Sequence, residues 1–149
     1  MTLKIKSYIS IDNLRFEHST KNDAISYFGK PNMKSKTRLG NIEYEYDNFI
    51  LRFDRVTYTL LECTLLPYAE ATINGIAVTW DKAFLKELCL LDGAPKNSYG
   101  FIVFSKFGLA VTGIHDNDES QTAITVFPKS ELDEFLDGSN DFDVTSLNQ

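Results

Sequence analysis

Two four-residue stretches constrain this chain more than any others. "FGKP" (28–31) and "DGAP" (92–95) both close a segment with helical patterning. Gly29 and Gly93 suit the residue just past a helix end, where a positive φ carries no Cβ penalty. Pro31 and Pro95 follow two residues later and block further helix. The segments before the stops match in kind. "STKNDAISYF" offers Ser19 or Thr20 as a cap, with Asp23 in the first turn. "TWDKAFLKELCLLD" offers Thr79 or Asp81 as a cap, with Phe84, Leu85, Leu88 and Leu91 as one apolar face.

The match extends both ways. Upstream, "YISIDNLRFE" (8–17) and "EATINGIAVTW" (70–80) alternate around the turn signals Asp12-Asn13 and Asn74-Gly75. Downstream, 41–67 and 99–128 are strand-rich, each with a central turn ("YDNF", "SKFG") and each ending at a proline, Pro67 or Pro128. All four prolines fall at matching places: 31 and 95 are offset by 64, 67 and 128 by 61, and the turn signals by 62. The sequence therefore predicts an α+β chain: a tandem repeat of a strand-strand-helix-strand-strand-strand unit (8–67 and 70–128). Its sheets should be antiparallel, continuous or packed, with the helices on one face. A third helix is expected over 130–138, with Ser130 as cap, Asp133 completing the box, Leu132, Phe135 and Leu136 facing the core, and Gly138 as stop. The polar tail after it reads as frayed. The 149 residues suit one domain, large enough to bury about 70% of the unfolded surface without staples.

The copies differ where loops differ. After Pro31 comes the basic stretch "NMKSKTRLG", with Lys34, Lys36 and Arg38; after Pro95 there is only "KNS". The last hairpin of the second copy carries "HDNDES" (115–120). Charge divides in the same way: residues 1–60 carry +3 and residues 61–149 carry −9. Ordinary solubility is the plain reading of that acidity; attraction of a basic partner is the sharper one. An acidic field also opposes nucleic acid, and the lysine run lacks interleaved aromatics.

Catalytic signatures are missing. The sequence has no Gly-rich phosphate loop, HExxH, GxSxG or CxxC. A dyad of His18 or His115 with Cys63 or Cys89 is conceivable, but both cysteines sit in apolar runs that silence a thiol, and they read as buried and unpaired in a reducing compartment. "HDNDES" lacks the Gly and spacing of a calcium loop, so no metal or cofactor is expected. A solvated hairpin loop is its plainer reading and a partner contact the next. No apolar run approaches the roughly 18 residues of a membrane span, and the first residues lack a signal core. The expectation is a cytoplasmic chain that binds rather than catalyses.

Two likenesses can be named on these residues. The stretch from the first helix through "FGKP" to "IEYEYDNFILRF" resembles the repeated unit of the secreted β-lactamase inhibitor proteins and of small lipoproteins of outer-membrane assembly. Gly29, Pro31, Tyr44, Tyr46 and Phe53 stand where that unit has its Gly-x-Pro and aromatic hairpin. The second copy, "TINGIAVTWDKAFLKELCLLDGAP" then "FIVFSKFGLAVTGI", is similar to a strand-turn-helix-hairpin module of immunity proteins of bacterial polymorphic toxin systems, including contact-dependent growth inhibition. The likeness covers 9–67 and 71–114. With no signal core and no lipid-bearing N-terminal Cys, the chain departs from the envelope families. The resemblance then implies a cytoplasmic immunity protein that binds a toxin, often a basic nuclease, by occlusion. The partner-binding candidates are His115, Asp116, Asp118 and Glu119 of the loop and Glu131, Asp133, Glu134 and Asp137 of the third helix. An intracellular adaptor or chaperone is the alternative reading, and a small enzyme the third.

Overall fold

Strand β1 (Leu3–Lys6) alternates buried Leu3 and Ile5 with exposed lysines, the period-two pattern of a half-buried strand. Its neighbours are the two short hairpins that the turn signals predict. Strands β2 (Ser10–Ile11) and β3 (Leu14–Arg15) turn at Asp12 (φ 49°), and β8 (Ala71–Ile73) and β9 (Ile76–Ala77) turn at Asn74-Gly75 (φ 50° and 86°). The hairpins do not pair with each other. β1 lies between them, antiparallel to β2 and parallel to β8, in the order β3-β2-β1-β8-β9. Ile5 stands opposite both Ile11 and Ile73, the residues that precede the two turns. The computed structural model describes residues 1–148.

Helix α1 (Lys21–Phe28) opens on a full capping box. Asp23 N–H donates to Thr20 Oγ1 (3.3 Å), and Thr20 N–H donates to Asp23 Oδ2 (2.8 Å). Helix α2 (Lys82–Asp92) opens on Asp81, whose Oδ1 accepts from Phe84 N–H (2.9 Å) and from the Thr79 hydroxyl (2.8 Å). Gly29 and Gly93 both hold positive φ, 88° and 82°. The buried face of α2 is Phe84, Leu85, Leu88 and Cys89, whereas Leu91 is exposed. Cys89 lies four residues beyond Leu85 on the same stripe, a place the sequence reading gave to Leu91.

Each helix is followed by four strands rather than the three expected. The added ones are β4 (Met33–Lys36) and β10 (Lys96–Ser98), in the stretches read as loops. All four residues of β4 are exposed, so no alternation marks it in the sequence. Strands β5 (Ile42–Glu45), β6 (Phe49–Phe53) and β7 (Leu60–Leu65) complete one antiparallel meander; β11 (Phe101–Phe104), β12 (Leu109–Thr112) and β13 (Ala123–Val126) complete the other. The meanders meet at their last strands, β7 against β13, with Thr64 opposite Thr125 and their hydroxyls 3.3 Å apart. A short β14 (Asn140–Asp141) extends the far side, giving a nine-stranded sheet ordered β14-β10-β11-β12-β13-β7-β6-β5-β4.

The inner face of that sheet, including Leu51, Phe53, Cys63, Leu65, Phe104 and Val126, packs with α1, α2 and the five-stranded sheet in one core. On the outer face, Val103, Ala110 and Phe127 are covered by α3 (Leu132–Leu136). This third helix is therefore on the opposite face from α1 and α2, not on a shared one. Phe127 stacks on Phe135 (4.3 Å, 13°). Ser130 does not cap α3. It sits within a 3-10 turn (Lys129–Glu131), and its hydroxyl donates to the Glu17 carboxylate instead. The tail is docked rather than frayed up to its described end: Phe142 N–H donates to Pro95 O (3.0 Å), and Leu147 is 2% exposed in the turn that contacts α2. Both cysteines are free and buried, and burial pushes the Cys89 thiol up to about 11 and Cys63's up as well. No described helix is long and apolar enough to cross a membrane.

Candidate functional site

The acidic residues singled out in the sequence fall into two places that line different clefts. His115–Asp118 and the following 3-10 turn (Glu119–Gln121) form the β12–β13 connection. Much of its polarity is turned on itself. Asp118 Oδ1 accepts from the Ser120 hydroxyl (2.6 Å) and backbone N–H (3.2 Å), and Asp116 Oδ1 lies 3.4 Å from Asp118 N–H. His115 stands edge-on to Phe142 (5.9 Å), with its Nδ1 buried and unpartnered. Asn117 and Glu119 line a cleft of about 310 Å³, with Tyr68, Trp80 and Asp81 among its other walls. Among the described residues, no group of three or more His, Cys, Asp and Glu side chains is placed to hold a metal ion.

The acids after β13 divide. Asp133, Glu134 and Asp137 are exposed and Glu131 is half-buried; Asp137 contributes its backbone carbonyl, 3.5 Å from Ser98 Oγ. Glu131 and Glu134 interact with carboxylates of the first half. The geometry starts with sheet register: Glu43, Arg52 and Glu62 are direct neighbours on β5, β6 and β7. Cross-strand neighbours of opposite charge attract, and here one guanidinium serves two carboxylates. Arg52 Nε lies 2.6 Å from Glu43 Oε2, and Nη1 reaches Glu62 Oε1 (3.3 Å) and Thr64 Oγ1 (2.7 Å). Burial nonetheless raises the Glu62 carboxyl above its usual range; Arg52 pulls it back, and Glu134 and Glu43 add to the rise. Glu131 is pushed up to about 7, first by burial, then by a hydrogen bond with Glu134, then by the charges of Glu62, Glu134 and Glu17.

Glu62 and Glu134 form the acidic side of a pocket of about 260 Å³, completed by Ser98, Tyr99, Phe101 and Phe135. Phe101 and Phe135 meet edge to face (5.9 Å, 85°). Tyr99 is 87% exposed at the tip of the β10–β11 hairpin, where it and Gly100 hold positive φ (49° and 88°). Crowded carboxylates beside aromatic faces disfavour further negative charge and favour an incoming cation, which gains Coulomb attraction and ring-face contact together. The sequence reading reached Glu131 and Glu134 but missed Glu62, Arg52, Tyr99 and Phe101. Glu62 carried a signal, as the one charge inside "LLECTLL"; Tyr99 carried only its place before a glycine between two strands. Comparison of the chain with family models, curated proteins and solved structures gives no match.

Proposed function

We propose that this chain is a non-catalytic immunity protein of the cytoplasm, which binds a cognate bacterial toxin and neutralises it by occlusion. Its partner is a basic protein, most simply a nuclease, and it engages neither nucleic acid nor membrane. The observation that carries this reading is the pocket of Glu62, Glu134, Tyr99, Phe101 and Phe135, which suits a lysine or arginine side chain. Such a pocket acts as an anchor when its cation is desolvated, and the surrounding acidity raises the encounter rate. The exposed Asp133 and Asp137 form a rim beside it, and Asp116, Asp118 and Glu119 a second acidic patch. An adaptor or chaperone would use the same pocket on a host protein, without protection from a toxin.

The test takes as its toxin any toxin domain found encoded beside this chain. Co-expression should rescue growth, and the purified chain should inhibit the toxin's cleavage of nucleic acid. Replacing Glu134 with Lys and Tyr99 with Ala should weaken inhibition at least tenfold and slow association most at low salt, because charge reversal at an encounter surface acts on the association rate. Full inhibition by the double variant would remove the pocket from the contact. Failure of the native chain to protect any neighbouring toxin would overturn the immunity reading.

A further inference from the structure

The nine-stranded sheet ends on β4, whose second side faces no strand. Thr37 N–H donates to Asn41 O (2.8 Å) where the β4–β5 ladder closes. Antiparallel ladders alternate, so counting back from this pair the backbone groups of Ser35 face β5, while the N–H and C=O of Lys34 and Lys36 point away from the sheet. Their side chains share one face. Lys34 lies opposite Tyr44, its Nζ 5.4 Å from the ring centre, and Lys36 lies opposite Ile42. Lys21, at the start of α1, completes a groove of about 340 Å³ lined by Lys21, Lys34, Ser35, Lys36, Ile42 and Tyr44. No carboxylate lines that groove, and among the described residues none of these three lysines forms an ion pair.

We infer that β4 is a docking edge for an acidic, extended segment of another protein, which pairs with it as a further strand. The outward peptide groups of Lys34 and Lys36 supply the ladder. Side chains two apart on an incoming strand share a face, about 7 Å apart, and carboxylates at that spacing meet Lys34 and Lys36, with Lys21 beyond. Lysines on an edge ordinarily repel other sheets; an acidic strand turns that repulsion into attraction. A nucleic-acid strand satisfies the lysines but not the outward peptide groups, whereas an acidic peptide strand satisfies both. This surface is separate from the acidic pocket and stands or falls independently of the toxin reading.

The probe is an end-capped nonapeptide of alternating Thr and Glu, compared with the same peptide carrying Gln for Glu. Binding is followed by fluorescence anisotropy, and the protein amides by hydrogen exchange. The Glu peptide should bind at least tenfold more tightly than the Gln peptide and slow exchange at Lys34 and Lys36. Replacing both lysines with Glu should abolish binding. Lys34→Pro removes an outward N–H without touching the β5 ladder, so it should weaken binding more than Lys34→Gln, with circular dichroism confirming that both variants fold. No binding of the Glu peptide, binding without protection of the two amides, equal losses for the Pro and Gln variants, or displacement of the peptide by an equimolar oligo-dT strand would each overturn the proposal.

Discussion

Burial and neighbouring carboxylates bring Glu131 into titration near neutral pH. Its carboxyl is raised from an ordinary 4.5 to about 7, so the folded chain holds that proton more tightly than the unfolded one. Stability from this group is complete below about pH 4.5 and is lost as pH rises through 7. Replacing Glu131 with Gln should therefore raise the melting temperature at pH 8 and leave it unchanged at pH 4. Because the group is partly solvated, the gain is about 1 kcal/mol, or roughly 2–4 °C. Thermal melts of both proteins at the two pH values check it, and an equal shift at both would dismiss the carboxylate crowding. The residue scale is also where sequence reading worked best on local chemistry. Thr20 and Asp81, each one of two candidate caps in the sequence, were legible because a cap and the N–H that donates to it lie within three residues of each other. Ser130 had the right type and spacing for a cap but was drawn to Glu17, which is far away in sequence.

Among the elements, the docked tail carries a prediction of its own. Leu147 is 2% exposed, in the turn that contacts α2, and is part of the main core. Leu147→Ala should cost about 2–3 kcal/mol, within the range for a buried leucine near a chain end that can partly relax, and lower the melting temperature by roughly 4–12 °C. Urea unfolding of the variant measures this directly, and a change under about 0.5 kcal/mol would mean that the tail is frayed after all. The tail reads as polar because only Phe142 and Leu147 of its apolar residues make the anchoring contacts. Strands β4 and β10 were missed for a related reason. β4 has solvent on both faces, and β10 is three residues long with one buried side chain. Neither shows the alternation that the pattern rules require.

At the scale of the whole molecule, the order of elements is the same in both halves: hairpin, helix, four-stranded meander. This order is what duplication of one unit predicts, with β1 as the strand shared between the copies. Superposing residues 9–67 on 70–128 should align both helices and most strands, and should bring Ile11 onto Ile73 and Thr64 near Thr125. An alignment in which the helices coincide but the meanders do not would argue for two unrelated halves. The copies also differ in cover. Outer-face residues of the second meander lie under α3, whereas those of the first carry Glu43, Arg52 and Glu62. The acidic pocket lies where these two kinds of surface meet.

The sequence by itself determined what local physics controls: where the first two helices start and stop, where the hairpins turn, which strand faces are apolar, and the α+β class that follows. Chain direction at a turn, a cap or a glycine depends on residues a few positions apart, so the residue types disclose it. Only the tertiary structure decided that β1 lies between the two hairpins, that α3 takes the opposite face, and that Arg52 stands between Glu43 and Glu62 with Glu131 and Glu134 closing in. Pairing between distant strands is made by backbone groups that every residue carries, so its register leaves little trace in residue type. The pocket is a product of that register, and its two acids, Glu62 and Glu134, come from different halves of the chain.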